Sequence, residues 1–214
     1  MKDIVRFRVV VFDFDGTLAD TLGWAANQMP GISARYRTRN VEPEEYDHIR
    51  ALPPKELLSY LEISTWKMPL IMWELRRKMR RDTARLELFP GIAGVLLDMA
   101  NRGIRLAVLS SNAEKNIRAV LGPELEPLFS HYQCGASFFG KKGKLQRLLD
   151  KADADHRDVM YVGDELRDLE AAEAVGVAFG AACWGLNSKE TFERYTPFGI
   201  FTQPGDIGSA VISG

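Results

Sequence analysis

The stretch Val9-Val10-Val11-Phe12-Asp13-Phe14-Asp15-Gly16-Thr17 decides the fold of this 214-residue chain. Four consecutive apolar residues, rich in β-branched side chains, fit a strand buried on both faces. Two carboxylates at the carboxyl end of such a strand are costly unless a metal or a reaction uses them. Open parallel sheets place their ligands at that edge. Were the strand to continue, the shared parity of Asp13 and Asp15 would put both side chains on one face. Gly16 then lets the chain turn sharply. An ordinary acidic turn is the competing reading, because Asp and Gly are common turn residues.

Four later runs resemble the first: Leu106–Leu109, Phe129–Cys134, Val159–Val162 and Val177–Ala181. Helical patterns alternate with them over Ile92–Asn101, Lys115–Leu121, Lys144–Lys151 and Leu169–Ala174. This alternation predicts an α/β fold, a parallel sheet covered by helices on both faces in three Rossmann-like layers. The rhythm breaks between about Asp20 and Leu88, where no buried strand is evident. Pro30-Gly31, Glu42-Pro43 and Pro53-Pro54 divide that stretch into three or four short helices, since proline disfavours helical continuation. The division expected is a sheet domain over 1–19 and 87–214, with a small helical domain inserted at 20–86.

Composition narrows the function class. A hydrophobic fraction of 46% and a charged fraction of 27% are those of an ordinary globular protein. A net charge of −1 gives no field that argues for nucleic acid or an anionic membrane. No apolar run has the length of a spanning helix, and Asp3 and Arg6 interrupt any leader-like start, so a cytoplasmic location is expected. The two cysteines, Cys134 and Cys183, suggest no disulfide framework and read as buried small hydrophobes.

A second acidic cluster, Gly163-Asp164-Glu165-Leu166-Arg167-Asp168, again follows a buried-strand pattern. Asp164 and Asp168 are four apart and face one side on a turn entering a helix. Two strand ends carrying paired carboxylates suggest a hard, oxygen-seeking cation such as Mg2+ between them. Helix capping explains one of these aspartates but not all four. Ser110-Ser111-Asn112, at the end of the second long run, reads either as a helix cap or as an anion site at a helix N-terminus. Phe139-Gly140-Lys141-Lys142-Gly143-Lys144 is a solvated basic loop or the source of a lysine for a phosphate. Gly135 to Lys141 also fits the first part of a P-loop, but Lys142 stands where its Ser or Thr is needed.

In this order, Asp13-x-Asp15-Gly16-Thr17, Ser110, a lysine and Gly163-Asp164-x-x-x-Asp168 resemble the haloacid dehalogenase superfamily, and its phosphoglycolate phosphatase-like branch in particular. Trp184-Gly185 with Asn187 nearby is also similar to that branch, and the helical insert matches the family's cap. The resemblance implies a Mg2+-dependent phosphatase acting on a small phosphorylated metabolite, as a monomer or homodimer. It implies Asp13 as nucleophile, forming an aspartyl-phosphate, and Asp15 as general acid and then base. It implies Asp13, the Asp15 backbone carbonyl, Asp164 and Asp168 around the metal. Ser110, Ser111, Asn112, Thr17 and Lys141 would hold phosphate, with Lys144 second and Lys142 third for the lysine. Asp15 argues for phosphoryl transfer over carbon–halogen cleavage.

Other readings stay open. A phosphonate hydrolase would need a cap lysine, of which Lys55, Lys67 and Lys78 are present. A phosphosugar mutase or a non-catalytic binding protein on the same fold is also compatible. The basic stretches Arg35-x-Arg37-x-Arg39 and Arg76-Arg77-Lys78-x-Arg80-Arg81 read as solvated helix faces, or else as contacts for an anionic substrate. Trp24, Trp66 and Trp73 read as packing within the cap, Glu165 as tuning the metal site or facing solvent, and His48, His131 and His156 fit no catalytic pattern.

Overall fold

A computed structural model describes residues 4–50, 52, 54–135 and 140–213. Its centre is a six-stranded parallel sheet of β2 (Val9–Phe12), β3 (Arg105–Leu109), β4 (Phe129–Gln133), β5 (Val159–Gly163), β6 (Ala178–Ala182) and β7 (Gly199–Phe201), in the spatial order β4-β3-β2-β5-β6-β7. A two-stranded antiparallel ribbon pairs β1 (Ile4–Val5) with β8 (Ile212–Ser213). The sheet helices are α5 (Ile92–Asn101), α6 (Glu114–Leu125), α7 (Lys141–Ala152), α8 (Leu166–Val175), α9 (Lys189–Phe192) and α10 (Pro204–Val211). The five strands and four helices expected from pattern are all present. Beyond them, β7, α9, α10 and the terminal ribbon appear.

Period-two alternation divides the core into two layers. Val10, Phe12, Leu106, Val108, Met160 and Val162 pack with Ile92, Leu96 and Met99 of α5, Ile117 and Leu121 of α6, and Ile207 and Val211 of α10. Val9, Val11, Ala107, Leu109, Val159 and Tyr161 pack on the other face with Leu145, Leu148 and Leu149 of α7 and Leu166, Leu169 and Ala172 of α8. A strand sandwiched between two helix layers must be apolar at every position, which is why these runs are unbroken. β2 pairs with β3 on one side and β5 on the other, so the direction of winding reverses at β2. That reversal opens a crevice at the carboxyl ends of these three strands.

Between β2 and β3 the chain forms α1 (Thr21–Tyr36), α2 (Tyr46–Arg50), α3 (Pro54–Tyr60) and α4 (Met68–Met79), with short 3-10 turns. The insert has its own apolar contacts: Ile32, Ile63 and Ile71 form one cluster, and Trp24, Met79 and Leu86 another. Buried Glu74 of α4 stitches it together by accepting the Tyr36 hydroxyl (2.8 Å) and pairing with Arg35 and Lys78. Chain entry and exit lie side by side, because Ala19 bridges Leu88 and Asp20 N–H donates to the Glu87 carbonyl (2.9 Å).

Three expectations need correction. Pro30 does not end a helix: α1 runs through it, because burial of Ile32 against α4 outweighs the lost backbone bond. Trp66 and Trp73 do not pack inside the insert; Trp66, in the turn before α4, is 68% exposed and Trp73, on α4, is 57% exposed, and of the three only Trp24 is buried. Cys134 and Cys183 are half-buried rather than buried, at the ends of β4 and β6. Burial still pushes the Cys134 thiol up to about 12, so it stays protonated near neutral pH. The Pro53 boundary lies outside the described residues. Among the described residues no helix is long and apolar enough to cross a membrane.

Ile207 shows how far the core extends along the chain, since this α10 residue is fully buried under the sheet. Ile207→Ala should lower unfolding free energy by about 2–5 kcal/mol, the usual cost of such a cavity. Urea denaturation checks this, and an unchanged midpoint would remove α10 from the cooperative core.

Candidate active site

The crevice collects four of the expected carboxylates, each on a segment that leaves a strand end. Asp13 follows β2 directly, and its N–H still donates to the Val162 carbonyl of β5 (2.9 Å). The strand stops at Phe12, so the two aspartates of the first motif do not stay on one continuing strand face. Gly16, at φ +77°, turns the chain, and a Cβ there would sit 2.1 Å from Asp164 Oδ2. Only glycine satisfies both the left-handed backbone and that close approach. Asp13 then faces α7, whereas Asp15 faces the segment after β3.

Oxygens of Asp13, Asp164 and Asp168 lie within 4.8 Å of one another, and these residues are 2%, 1% and 0% exposed. Asp13 Oδ1 accepts the Phe14 N–H (2.7 Å), and Oδ2 accepts Lys141 Nζ (2.5 Å). The same ammonium donates to Asp168 Oδ1. Asp168 also accepts the Tyr161 hydroxyl (2.8 Å) on Oδ1 and the Glu165 N–H (3.2 Å) on Oδ2. Asp164 accepts the Thr17 hydroxyl (2.9 Å) and the Leu186 N–H (2.8 Å). Each carboxylate is therefore held by neutral donors, and one lysine bridges two of the three.

The electrostatics follow from burial. Removal from water pushes Asp13 up to about 7, against the opposing pull of Lys141. Burial, reinforced by Glu165, Asp13 and Asp168, holds Asp164 well above the usual carboxylate range. Burial works against the charge on Lys141, yet Asp13 and Asp168 hold its ammonium above the ordinary lysine range. Burial also raises Asp15, less so because Asn112 donates to it.

On the other side of Asp13, Ser110 follows β3 and its hydroxyl lies 3.4 Å from Asp15 Oδ2. Asn112 Nδ2 donates to Asp15 Oδ1 (3.1 Å) and touches Met79 Sδ (3.1 Å) at the end of α4. Ser111 is half-buried between them. Thr17 is turned to Asp164, away from this group, and acts there as an orienting donor. Lys141 opens α7, while Lys144 instead donates to the Gly135 carbonyl (2.5 Å) and Lys142 is exposed. Phe139 lies outside the described residues. Glu165 accepts from the N-terminus of α8 and pairs with Arg167 (2.5 Å). Of the insert lysines, Lys67 is bonded to the Tyr36 carbonyl and Lys78 to Glu74, so both are engaged inside the insert.

Sequence reasoning passed over Tyr161, and it marked Trp184, Gly185 and Asn187 by resemblance without giving them a task. Tyr161 is a hydroxyl inside an apolar strand run, which is a legible signal. Gly185 is crowded, since a Cβ there would fall 2.3 Å from both Asp164 Cβ and the Gly16 carbonyl oxygen. Asn187 staples the Asp164 turn: its N–H donates to the Asp164 carbonyl (3.0 Å), and its Oδ1 accepts the Leu166 N–H (3.0 Å). Trp184 Nε1 donates to the Thr17 carbonyl (3.0 Å).

Comparison with known proteins agrees with this geometry. Residues 10–182 match the family model of the haloacid dehalogenase-like hydrolases. The chain is 31% identical over 205 residues to a phosphoglycolate phosphatase of Synechococcus elongatus, covering 95% of this chain and 97% of that one. It is 28% identical over 196 residues to the tyrosine-protein kinase PtkA of Mycobacterium tuberculosis, covering 87% of this chain and 66% of that one. A haloacid dehalogenase-like hydrolase from Streptococcus pneumoniae superposes with a TM-score of 0.77 at 16% identity, covering 94% of this chain and 97% of that one. A family model spanning the sheet edge with all four aspartates of its two acidic strand ends, together with the full-length cyanobacterial relative, places this chain among the haloacid dehalogenase-like hydrolases.

Proposed function

We propose that this chain is a Mg2+-dependent phosphatase that hydrolyses a small phosphorylated metabolite, a phosphoglycolate-like phosphomonoester, through an aspartyl-phosphate on Asp13. The observation that carries this reading is the buried triad of Asp13, Asp164 and Asp168, countered by a single ammonium. Ionising all three carboxylates against one lysine would leave an excess of negative charge in a dry crevice, and an all-oxygen donor set suits a hard divalent cation that offsets it. Asp13, Asp164, Asp168 and the Asp15 backbone carbonyl would hold it. When bound, Mg2+ would offset the repulsion between a carboxylate and a phosphate dianion.

The chain's own groups supply the remaining steps. A carboxylate oxygen of Asp13 attacks phosphorus, and the bond to the leaving oxygen breaks. Asp15, raised by burial and so protonated more readily, gives its proton to that oxygen. The Asp15 carboxylate then takes a proton from water as the water attacks phosphorus, which frees Asp13 and releases phosphate. Lys141, Ser110 and the Ser111–Asn112 segment surround the phosphoryl oxygens, and donors fixed in advance stabilise charge as it develops. Residues 20–86 form a cap that closes over the core of residues 1–19 and 87–214, excluding water and contacting the leaving group.

Three outcomes test this. With Mg2+, an aryl phosphate should release phosphate, and Asp13→Asn should reduce the rate by at least about 10³-fold; equal turnover by mutant and parent would remove Asp13 as nucleophile. Asp13 near pH 7 holds a proton that a cation must displace, so lowering pH should weaken Mg2+ binding. From pH 8 to pH 6 the Mg2+ concentration for half-maximal activity should rise about tenfold, and a flat profile would mean Asp13 is already ionised. Asp164 is raised, so its ionisation costs stability as pH rises. In Asp164→Asn the amide oxygen can accept the Leu186 N–H and the amide nitrogen can donate to the Thr17 hydroxyl oxygen, so both partners are kept while the charge is removed. At pH 8 without metal it should melt about 2–4 °C higher, for about 1 kcal/mol, and gain nothing from added Mg2+ in a thermal melt. A variant that melts lower, or still responds to Mg2+, would contradict the assignment.

A further inference from the structure

The phosphatase chemistry leaves one buried cation without a task. Lys144 lies one turn along α7 from Lys141, is 8% exposed, and donates to the Gly135 carbonyl (2.5 Å). Among the described residues no carboxylate pairs with it. Burial lowers its proton affinity, and apart from the neutral Cys134 thiol the charges acting on it are Arg147, Lys141 and Arg76, all positive. A buried ammonium among like charges is costly unless something negative arrives to pair with it.

Arg76 reaches this place from the insert. It stands one turn before Met79 on α4, and Met79 Sδ rests on Asn112 Nδ2. The Arg76 side chain is half-buried and has no ion-pair partner among the described residues, whereas Arg77, Arg80 and Arg81 on the same basic stretch are exposed. Asn112 binds Asp15 through Nδ2 and accepts the Gly135 N–H on its carbonyl (2.8 Å). A continuous set of contacts thus runs from Asp15 through Asn112 and Gly135 to Lys144. Asp15 protonates the departing oxygen, so this set marks the leaving-group side of the crevice, and the basic stretch is not wholly a solvated face.

We propose that Lys144 and Arg76 form a subsite, at the seam between insert and sheet, for a second negative charge on the leaving group. This rests on the phosphatase reading above. The substrates it selects are phosphate esters or anhydrides whose departing portion is itself anionic, a carboxylate or another phosphate. A lysine supplies a compact charge and an arginine a planar fork, and together they suit either group.

Steady-state kinetics on the full chain with Mg2+ test this with three probes. They are 2-phosphoglycolate, with a carboxylate on the leaving group; inorganic pyrophosphate, with a phosphate; and 2-hydroxyethyl phosphate, with no charge there. The parent should favour at least one anionic probe over the neutral one by kcat/KM. Lys144→Met should cut that preference at least tenfold, chiefly through KM. Arg76→Met, at a half-exposed position that tolerates the change, should cut it in the same direction and serves if the first variant fails to fold. The anionic probe that loses more identifies the group recognised. If all three rates fall together with the preference intact, Lys144 is only a brace for the Gly135 segment and the subsite is wrong. No preference in the parent overturns the subsite alone. No turnover of any probe overturns the phosphatase reading and the subsite with it.

Discussion

Like charges held together out of water dominate this molecule. Asp13, Asp164 and Asp168 converge within 4.8 Å at the edge of a sheet whose central strands are packed in apolar side chains on both faces. Such an arrangement opposes folding, because each carboxylate loses hydration and feels its neighbours. Much of the surrounding structure offsets that cost. Lys141 bridges two of the three, Tyr161 and Thr17 donate hydroxyls, and backbone N–H groups of Phe14, Glu165 and Leu186 meet the remaining oxygens. The sheet contributes by topology: winding reverses at β2, so the neighbouring ends of β2 and β5 deliver the carboxylates into one crevice and β3 delivers Ser110 beside them.

Steric room is the second condition. Gly16 and Gly185 approach Asp164 so closely that no side chain fits at either position. Asn187 and Trp184 then hold the segment after β6 against the turns that follow β5 and β2. The residues that do chemistry are few, and a larger set exists to keep them near one another.

The parts legible in the sequence are those whose signal is local. Val9–Phe12 announces a doubly buried strand by composition alone, and the acidic ends of two such strands announce a site. Lys141 was less legible, because its role depends on α7 starting immediately at that residue and aiming Nζ back across the sheet edge. Tyr161, Gly185 and Asn187 act through contacts formed only in the folded chain. Pro30 misled because tertiary burial of Ile32 overrides a local breaker. Trp73 misled because an aromatic residue on a helix does not say which side faces inward, and Trp66 because it falls in the turn before α4. β7 has three residues and α10 carries Gly205 and Gly208, so neither offers the length or propensity that a pattern needs.

The two chain crossings into the insert carry a consequence of their own. Ala19 and Leu88 are bridged, Asp20 N–H reaches the Glu87 carbonyl, and Phe89 N–H reaches the Leu18 carbonyl (3.0 Å). The sheet therefore meets the insert as a closed loop whose two ends are already fastened together. Its length and content can change without altering strand register, since the clamp fixes the span that the loop must close. The chain thus separates the acidic sheet edge from an insert fastened at its own base, with the fastening only a few residues from Asp15.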